Sequence, residues 1–188
     1  DTVIYLGSSN PSFDSNIFND TKVNVIYVLD KYTINEFCGL EIVKPIGNCG
    51  PQINFTYNSG TLVIVGEGEM FNYNSSSYPL WHNYRSVIKE ISISDGLTNI
   101  CDYAFFEFSK LENVNIPGSL KNIGDYAFKS CTSLKTVSIS EGVTSIGCNA
   151  FQGCISLQNI VIPKSCKSLE QYSFSSCSNL QNITLSEG

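Results

Sequence analysis

The chain has 188 residues, of which 17 are acidic and 11 basic, so its formal net charge is −6. This length suits one domain or two small ones. Hydrophobic residues make up 42% of the chain and charged residues 15%, which excludes a disordered tail and a coiled coil. The acidic balance argues against a nucleic-acid partner, and no run of apolar residues is long enough to predict a membrane span.

Residues 1–46 contain a divergent copy of a unit that becomes regular later in the chain. Ile17-Phe18 precedes the apolar residues Val23, Ile26 and Val28, which predict one short strand. In the later units the same apolar positions lie one residue further from the phenylalanine. We therefore treat 1–46 as a segment of its own.

The second half of the chain repeats every 23 residues. Each unit has an Ala-Phe or Ser-Phe dipeptide, a leucine seven residues after the Ala or Ser, and then an alternating apolar pair; an earlier copy of the pair is Ile91 and Ile93. The members are Ala104-Phe105, Ala127-Phe128, Ala150-Phe151 and Ser173-Phe174; Leu111, Leu134, Leu157 and Leu180; and Val114 with Ile116, Val137 with Ile139, Ile160 with Ile162, and Ile183 with Leu185.

This alternation predicts a short strand in each unit, with one buried and one exposed row of side chains. A single unit cannot enclose its own apolar row, so the units must stack as a solenoid. Pro117 and Pro163 lack the amide donor of a sheet, and each strand is expected to end before them. The segment from Asp102 to Phe108 and its equivalents are predicted to form a short helical or 3₁₀ turn on the opposite side.

Each unit reads Leu-x-x-Val/Ile-x-Ile-Pro/Ser, a turn, Val/Leu-x-x-Ile-Gly, and then Ala-Phe-x-x-Cys-x-x-Leu. This pattern resembles the BspA-like leucine-rich repeat family of bacterial and protist surface proteins. The resemblance implies a terminating segment at the close of 1–46, a β-hairpin capping segment over 47–87, and repeats over 88–188 that are open-ended at the C-terminus. The expected fold is a mostly β repeat solenoid with short strands and short helical or 3₁₀ turns, preceded by the hairpin.

The cysteines are interpreted mainly as core residues. Three of them share one register with Phe108, and a position that accepts either Phe or Cys is used for apolar volume; these are Cys131, Cys154 and Cys177. Cys166 takes a Leu/Val position and is expected in the core, whereas Cys101 and Cys148 are expected to be more exposed. Cys38 and Cys49 lie outside the repeats and are the one reasonable disulfide pair.

No residue pattern predicts catalysis. The paired spacing of a zinc site is missing, and the glycine-rich stretches lack the lysine of a phosphate loop. His82 is the only histidine and is interpreted as a packing or hydrogen-bonding residue of the hairpin segment. We therefore expect no enzyme activity, no cofactor and no metal.

The exposed positions of the strands predict an interaction surface, because stacked units align them into one face. The candidate residues are Asn113, Asn115, Thr136, Ser138, Asn159, Val161, Asn182 and Thr184. This face is polar and almost neutral, which suits a protein or glycan partner; the alternative is that these residues only keep the surface hydrated. A second candidate is an aromatic row, Tyr103, Tyr126 and Tyr172, whose alternative is tyrosines half-buried over the turns.

These observations lead to the hypothesis of a non-catalytic interaction module, part of a larger adhesin-like protein at the cell surface. The cell-surface location is what the family resemblance implies, and the N-x-S/T sequons at Asn19, Asn54 and Asn74 are consistent with it. The alternative is a structural scaffold or filament component of an intracellular assembly. Because no polar capping unit follows Leu185, self-association through the uncapped C-terminal repeat is possible.

Overall fold

A computed structural model describes residues 2–5, 25–28, 36–37, 40–43 and 47–186, with side chains from Cys49 onward except that of Asn58. The chain divides into two compact units, residues 1–47 and 48–188.

The first unit holds a four-stranded sheet of order β1-β2-β4-β3, in which only β3 runs antiparallel to its neighbour. Its strands are β1 (Thr2–Tyr5), β2 (Val25–Val28), β3 (Glu36–Phe37) and β4 (Leu40–Val43). The predicted division into 1–46, 47–87 and 88–188 stays a prediction.

The second unit begins with the expected β-hairpin. Strand β5 (Gly47–Gly50) lies beside β6 (Ile53–Asn58), which pairs antiparallel with β7 (Thr61–Gly66). Gly66 has a φ of 140°, and a Cβ there would lie 2.0 Å from the Gln52 carbonyl oxygen, so the hairpin requires glycine at this position. A 3₁₀ helix, Leu80–Tyr84, then leads into the repeats.

From residue 90 onward the strands follow the 23-residue period. They are β8 (Glu90–Ile93), β9 (Asn99–Ile100), β10 (Asn113–Ile116), β11 (Asn122–Ile123), β12 (Thr136–Ile139), β13 (Ser145–Ile146), β14 (Asn159–Ile162), β15 (Ser168–Leu169) and β16 (Asn182–Leu185). The four-residue strands are those predicted from the alternation, and β10 and β14 end directly before Pro117 and Pro163. The two-residue strands were not predicted and form a second parallel sheet of order β15-β13-β11-β9.

The four-residue strands make two hydrogen-bonded groups rather than one. Strands β12, β10 and β8 continue the hairpin as a six-stranded sheet of order β12-β10-β8-β7-β6-β5, whereas β14 and β16 form a sheet of their own. Within each group the parallel partners are equivalent residues of successive units, such as Val114 with Val137 and Ile160 with Ile183. The expected mostly β solenoid with a preceding hairpin is confirmed.

The turns opposite the four-residue strands agree with the predicted short 3₁₀ turns. They contain i→i+3 hydrogen bonds, such as Phe106 N–H to the Tyr103 carbonyl, but no regular helix forms over 102–108. Two residues in each turn have positive φ, which prevents a continuous helix. In the first such turn they are Tyr103 at 56° and Glu107 at 61°. Backbone amides of the turn also donate across to the next unit, as when Phe105 N–H donates to the Ala127 carbonyl oxygen at 2.7 Å.

The interior of the stack contains two columns of equivalent side chains. The phenyl column consists of Phe105, Phe128, Phe151 and Phe174, whose ring centroids lie 5.0, 5.1 and 5.4 Å apart in succession. The thiol column consists of Cys131, Cys154 and Cys177, each of which donates its S–H to the carbonyl of a phenylalanine in the preceding unit at 3.1–3.2 Å. All three thiols are buried, as expected, and burial raises the pKa of Cys131 to about 12.

Two cysteine predictions are corrected. Cys101 was expected to be more exposed but is 1% exposed. The preceding hairpin segment covers this position, because Cys49 and Tyr73 belong to the same core cluster and interact with Cys101. Cys49 is a buried free thiol, and Cys38, the other member of the predicted disulfide, lies outside the described residues. Cys166 is only partly buried against the core, and Cys148 is also of intermediate exposure.

Candidate interaction surface

All eight candidate residues of the strand face are exposed. They form two rows across the strands, because each strand contributes one residue at its first position and one at its third. The first row is Asn113, Thr136, Asn159 and Asn182, and the second row is Asn115, Ser138, Val161 and Thr184. Ser92 of β8 is exposed and extends the second row by one unit.

The first row is linked by hydrogen bonds between successive units. Thr136 Oγ1 donates to Asn113 Oδ1, and Asn182 Nδ2 donates to Asn159 Oδ1 at 2.8 Å. Just outside this row Lys135 Nζ lies 2.8 Å from Glu112 Oε2, and this pairing lowers the pKa of Glu112. Many of the hydrogen-bonding groups of the first row are therefore already bonded to each other.

The second row is different. Among the described residues, none of its side chains takes part in a hydrogen bond or an ion pair, although Asn115, Ser138 and Thr184 can each donate and accept. Val161 is the one apolar member and is 53% exposed. The second row thus presents hydrogen-bonding groups that have no partner among the described residues, and one apolar side chain, Val161.

A shallow depression of about 380 Å³ lies on the face where the two rows cross β8, β10 and β12. Four of the predicted residues line it, namely Asn113, Asn115, Thr136 and Ser138, and the other lining residues are Glu90, Ile91 and Val114. Sequence reasoning missed these last three. Ile91 and Val114 belong to the inward row and are 8% and 4% exposed, so they reach the surface only at the floor of the depression.

The predicted aromatic row is not continuous. Tyr103 and Tyr126 are half-buried and stack with centroids 4.7 Å apart, and Lys129 Nζ lies 5.2 Å from the centroid of the Tyr126 ring. Asn149 stands in the next unit, and Tyr172 beyond it is 65% exposed. Residues at this position have φ near 60°, so asparagine, which tolerates that conformation, fits the row without being aromatic.

Tyr103 also belongs to an aromatic cluster that the sequence did not indicate. Tyr78 stacks on His82 at 4.3 Å and approaches Phe106 and Tyr103 at 5.6 and 5.8 Å. His82 therefore packs between rings, which fits its predicted role as a packing residue. Loss of solvent, together with the positive charge of Arg85, lowers the pKa of His82 to about 4.

The sequons and the last strand differ in how far their side chains are exposed to solvent. Asn74 is exposed, Asn54 is partly buried within β6, and Asn19 lies outside the described residues. Glycosylation at these three positions stays a prediction. In β16, Ile183 and Leu185 are 49% and 67% exposed.

The repeat pattern and the stacked strands can now be compared with known proteins. A family model described as a BspA type leucine-rich repeat region matches residues 82–188 in six copies, which is more than half of the chain. The chain belongs to the BspA-type leucine-rich repeat family. The resemblance drawn from the sequence is therefore confirmed. No curated protein matches this chain.

Solved structures of leucine-rich repeat proteins support the same fold. A leucine-rich repeat protein from Eubacterium ventriosum ATCC 27560 is 24% identical, with a TM-score of 0.57 over 74% of this chain and 43% of that one. A leucine-rich repeat protein from Bacteroides ovatus ATCC 8483 is 25% identical, with a TM-score of 0.54 over 73% of this chain and 40% of that one. The chain spans about two fifths of the length of each.

Within the part of the chain that the structure describes, no helix is long and apolar enough to cross a membrane. Over the same residues, no group of three or more His, Cys, Asp or Glu side chains is placed to hold a metal ion.

Proposed function

We propose that this BspA-type chain is a non-catalytic interaction module of a larger cell-surface protein, and that it binds protein or glycan partners through its exposed strand face. Leucine-rich repeats generally mediate protein interactions, which supports the module as a class. The observation that carries the proposal is the second row, whose exposed polar groups have no partner among the described residues.

The charge of the repeats agrees with such a partner. Residues 88–188 carry 7 basic and 9 acidic residues, and the one close ion pair beside the face, Lys135 with Glu112, is self-compensating. Neither a strongly acidic nor a strongly basic partner is favoured by this surface. Recognition would depend on shape and hydrogen bonds rather than on net charge.

The test is binding to immobilised fibronectin, laminin and collagen and to a panel of neutral oligosaccharides, measured by surface plasmon resonance. The variant Asn115→Arg/Ser138→Arg places two long side chains on the face, and Tyr126→Ala is the matched change on the turn side. We expect at least one probe to bind the wild type and to bind the double variant at least about tenfold more weakly. Equal binding by both, or binding to none of the probes, would contradict the proposal.

A second candidate function is assembly as a scaffold through the repeat ends. The observation in its favour is that β16 exposes Ile183 and Leu185 and, among the described residues, pairs with β14 on one side only, since an open apolar strand edge readily pairs with another chain. Sedimentation velocity of the wild type and of Ile183→Lys/Leu185→Lys distinguishes the two. Assembly that depends on concentration and disappears in the lysine variant would support the scaffold, and a monomer in both cases would exclude it.

A further inference from the structure

The rows of the strand face have a regular spacing that restricts which polymer can bind them. Successive rings of the phenyl column lie 5.0–5.4 Å apart, and this spacing measures the rise from one unit to the next. The second row therefore offers one exposed side chain at intervals of about 5 Å, polar at every unit except that of Val161, and this interval is close to the distance between neighbouring strands in a sheet. A ligand that lies along the stack gains a contact at every unit only if its own repeat has a similar length.

An extended peptide does not have that repeat. Its residues advance by about 3.3 Å, and side chains on one face recur at about twice that distance, so a peptide along the stack falls out of register within a few units. A chain of β-1,4-linked pyranose rings advances by a length close to the rise of the stack, and although successive rings are turned over, each ring carries hydroxyl groups on both of its edges. Hydroxyl groups both donate and accept, as do the side chains of Asn115, Ser138 and Thr184.

The electrostatics of the face select among such polymers. The members of the second row are uncharged, and the depression is lined by one carboxylate, Glu90, and no basic residue. An anionic polysaccharide would meet that carboxylate without a cation to balance it. A neutral chain meets no such cost, and the small apolar floor made by Ile91 and Val114 matches the C–H groups of a sugar ring.

Resting on the function proposed above, we propose that the second row binds a neutral, linear, β-linked polysaccharide that lies along the stack. The strongest subsite is the depression, where Asn115 and Ser138 face the ligand beside Glu90. Weaker contacts follow at Thr184, because Val161 supplies no hydrogen bond and because β12 and β14 are not joined by a sheet ladder. The first row takes little part, since Asn113 and Thr136 are bonded to each other.

The experiment is isothermal titration of the whole chain with β-1,4-linked hexaoses of glucose, N-acetylglucosamine and xylose. Maltohexaose, which is α-linked and curls, is the geometric control, and a heparin hexasaccharide is the charge control. At least one β-linked hexaose should bind at least about tenfold more tightly than either control. Its affinity should rise from the disaccharide through the tetraose to the hexaose, because each added ring meets a further unit.

Matched variants locate the site. Asn115→Ala/Ser138→Ala should weaken the best hexaose about tenfold, as expected for two lost hydrogen bonds of modest strength. Asn159→Ala, at an exposed asparagine of the first row that does not line the depression, should change affinity less than twofold, and Val161→Ser should improve it. All these side chains are exposed, so the variants should fold, and circular dichroism checks this.

Three outcomes would overturn the polysaccharide proposal: no binding of any β-linked hexaose, affinity independent of length, or equal effects of Asn159→Ala and the double alanine variant. If fibronectin, laminin or collagen binds the wild type but not Asn115→Arg/Ser138→Arg while every hexaose fails, the face is an interaction surface for protein and only the polysaccharide proposal falls. If neither class of probe responds to the arginine variant, both proposals fall.

Discussion

The interior of the repeat stack and its strand face obey different constraints. Inside, each phenylalanine of the phenyl column stacks on the next at 5.0–5.4 Å, and each thiol of the thiol column is bonded to a carbonyl of the unit before it. The inner side chains of these columns therefore pack against neighbouring units at fixed positions, and few residue types satisfy that packing. On the face, the second row contains Asn, Ser, Val and Thr at equivalent positions, with no partners among the described residues.

This difference separates structural from functional positions within one repeat. The residue type at an interior position is restricted because its side chain packs against equivalent residues of the neighbouring units. An exposed side chain that has no partner among the described residues is available to bind a ligand. The hydrogen-bonded first row lies between these extremes, because it is exposed yet linked across units. Substitutions should therefore have effects on stability that decrease from the phenyl column to the second row.

The largest effect is expected for Phe128→Ala. Phe128 is fully buried between two rings of the phenyl column, so truncation leaves a cavity in the middle of the stack and should cost about 3–5 kcal/mol of unfolding free energy. Urea denaturation measures it. Tyr172→Ala, which removes an aromatic ring that is 65% exposed, is the control and should change stability by less than about 0.5 kcal/mol. Comparable losses in the two variants would mean that the interior does not dominate stability.

A smaller loss is expected for Cys154→Ala. This change removes a buried sulfur atom and leaves the Phe128 carbonyl without the thiol donor that lies 3.2 Å from it, which should cost about 1–2 kcal/mol. Cys148→Ala, at a site of intermediate exposure, should cost less. Thermal unfolding of both variants under reducing conditions makes the comparison, and a greater loss for Cys148→Ala would refute the structural role given to the thiol column.

His82 makes the free energy of unfolding depend on pH. Its pKa is about 4 in the folded chain, against a usual value of 6.5, so the unfolded chain binds the proton first as pH falls. This contribution to stability is complete above pH 6.5 and is lost between pH 6.5 and 4. After allowance for solvent around the half-exposed ring, the loss should be about 1 kcal/mol. Denaturation of His82→Phe should show a shallower fall over this range, and parallel curves would contradict the assignment.

The smallest effect is expected on the face. Ser138→Ala removes an exposed hydroxyl without a partner among the described residues, so unfolding free energy should change by less than about 0.5 kcal/mol. Thermal unfolding checks this beside Val137→Ala, which changes the neighbouring residue on the inward side, 8% exposed. If Ser138→Ala were the more destabilising of the two, the residue would have a structural role and the separation of face from interior would fail.

The sequence could predict the long strands because their alternation is regular and Pro117 and Pro163 mark two of their ends. It could not predict the second sheet, because strands of two residues contain no alternation to detect. The two positive-φ positions in each turn were missed because most units hold Tyr, Glu or Ser there. The signal was present in one unit only, where Asn149 and Gly153 are residues that favour this conformation.

The candidate site was predictable only in part, for a similar reason. Both rows are polar, so composition cannot tell that Thr136 and Asn182 are bonded to the unit before them while Ser138 is not. The distinction depends on contacts across units, which need the register of the folded stack. Cys101 was placed wrongly because its equivalents in the next two units are the glycines Gly124 and Gly147, whereas the first unit has room for a side chain there.

The central claim is that partners bind the strand face and not the turn side, and chemical-shift mapping tests it most directly. The ¹⁵N-labelled chain is titrated with the tightest-binding hexaose or matrix-protein fragment from the experiments above. The account predicts that the largest amide shifts lie in β8, β10 and β12 around Asn115 and Ser138 and continue more weakly into β14 and β16. Shifts concentrated in the turns around Tyr103, Tyr126 and Lys129, with the strand amides unmoved, would contradict it.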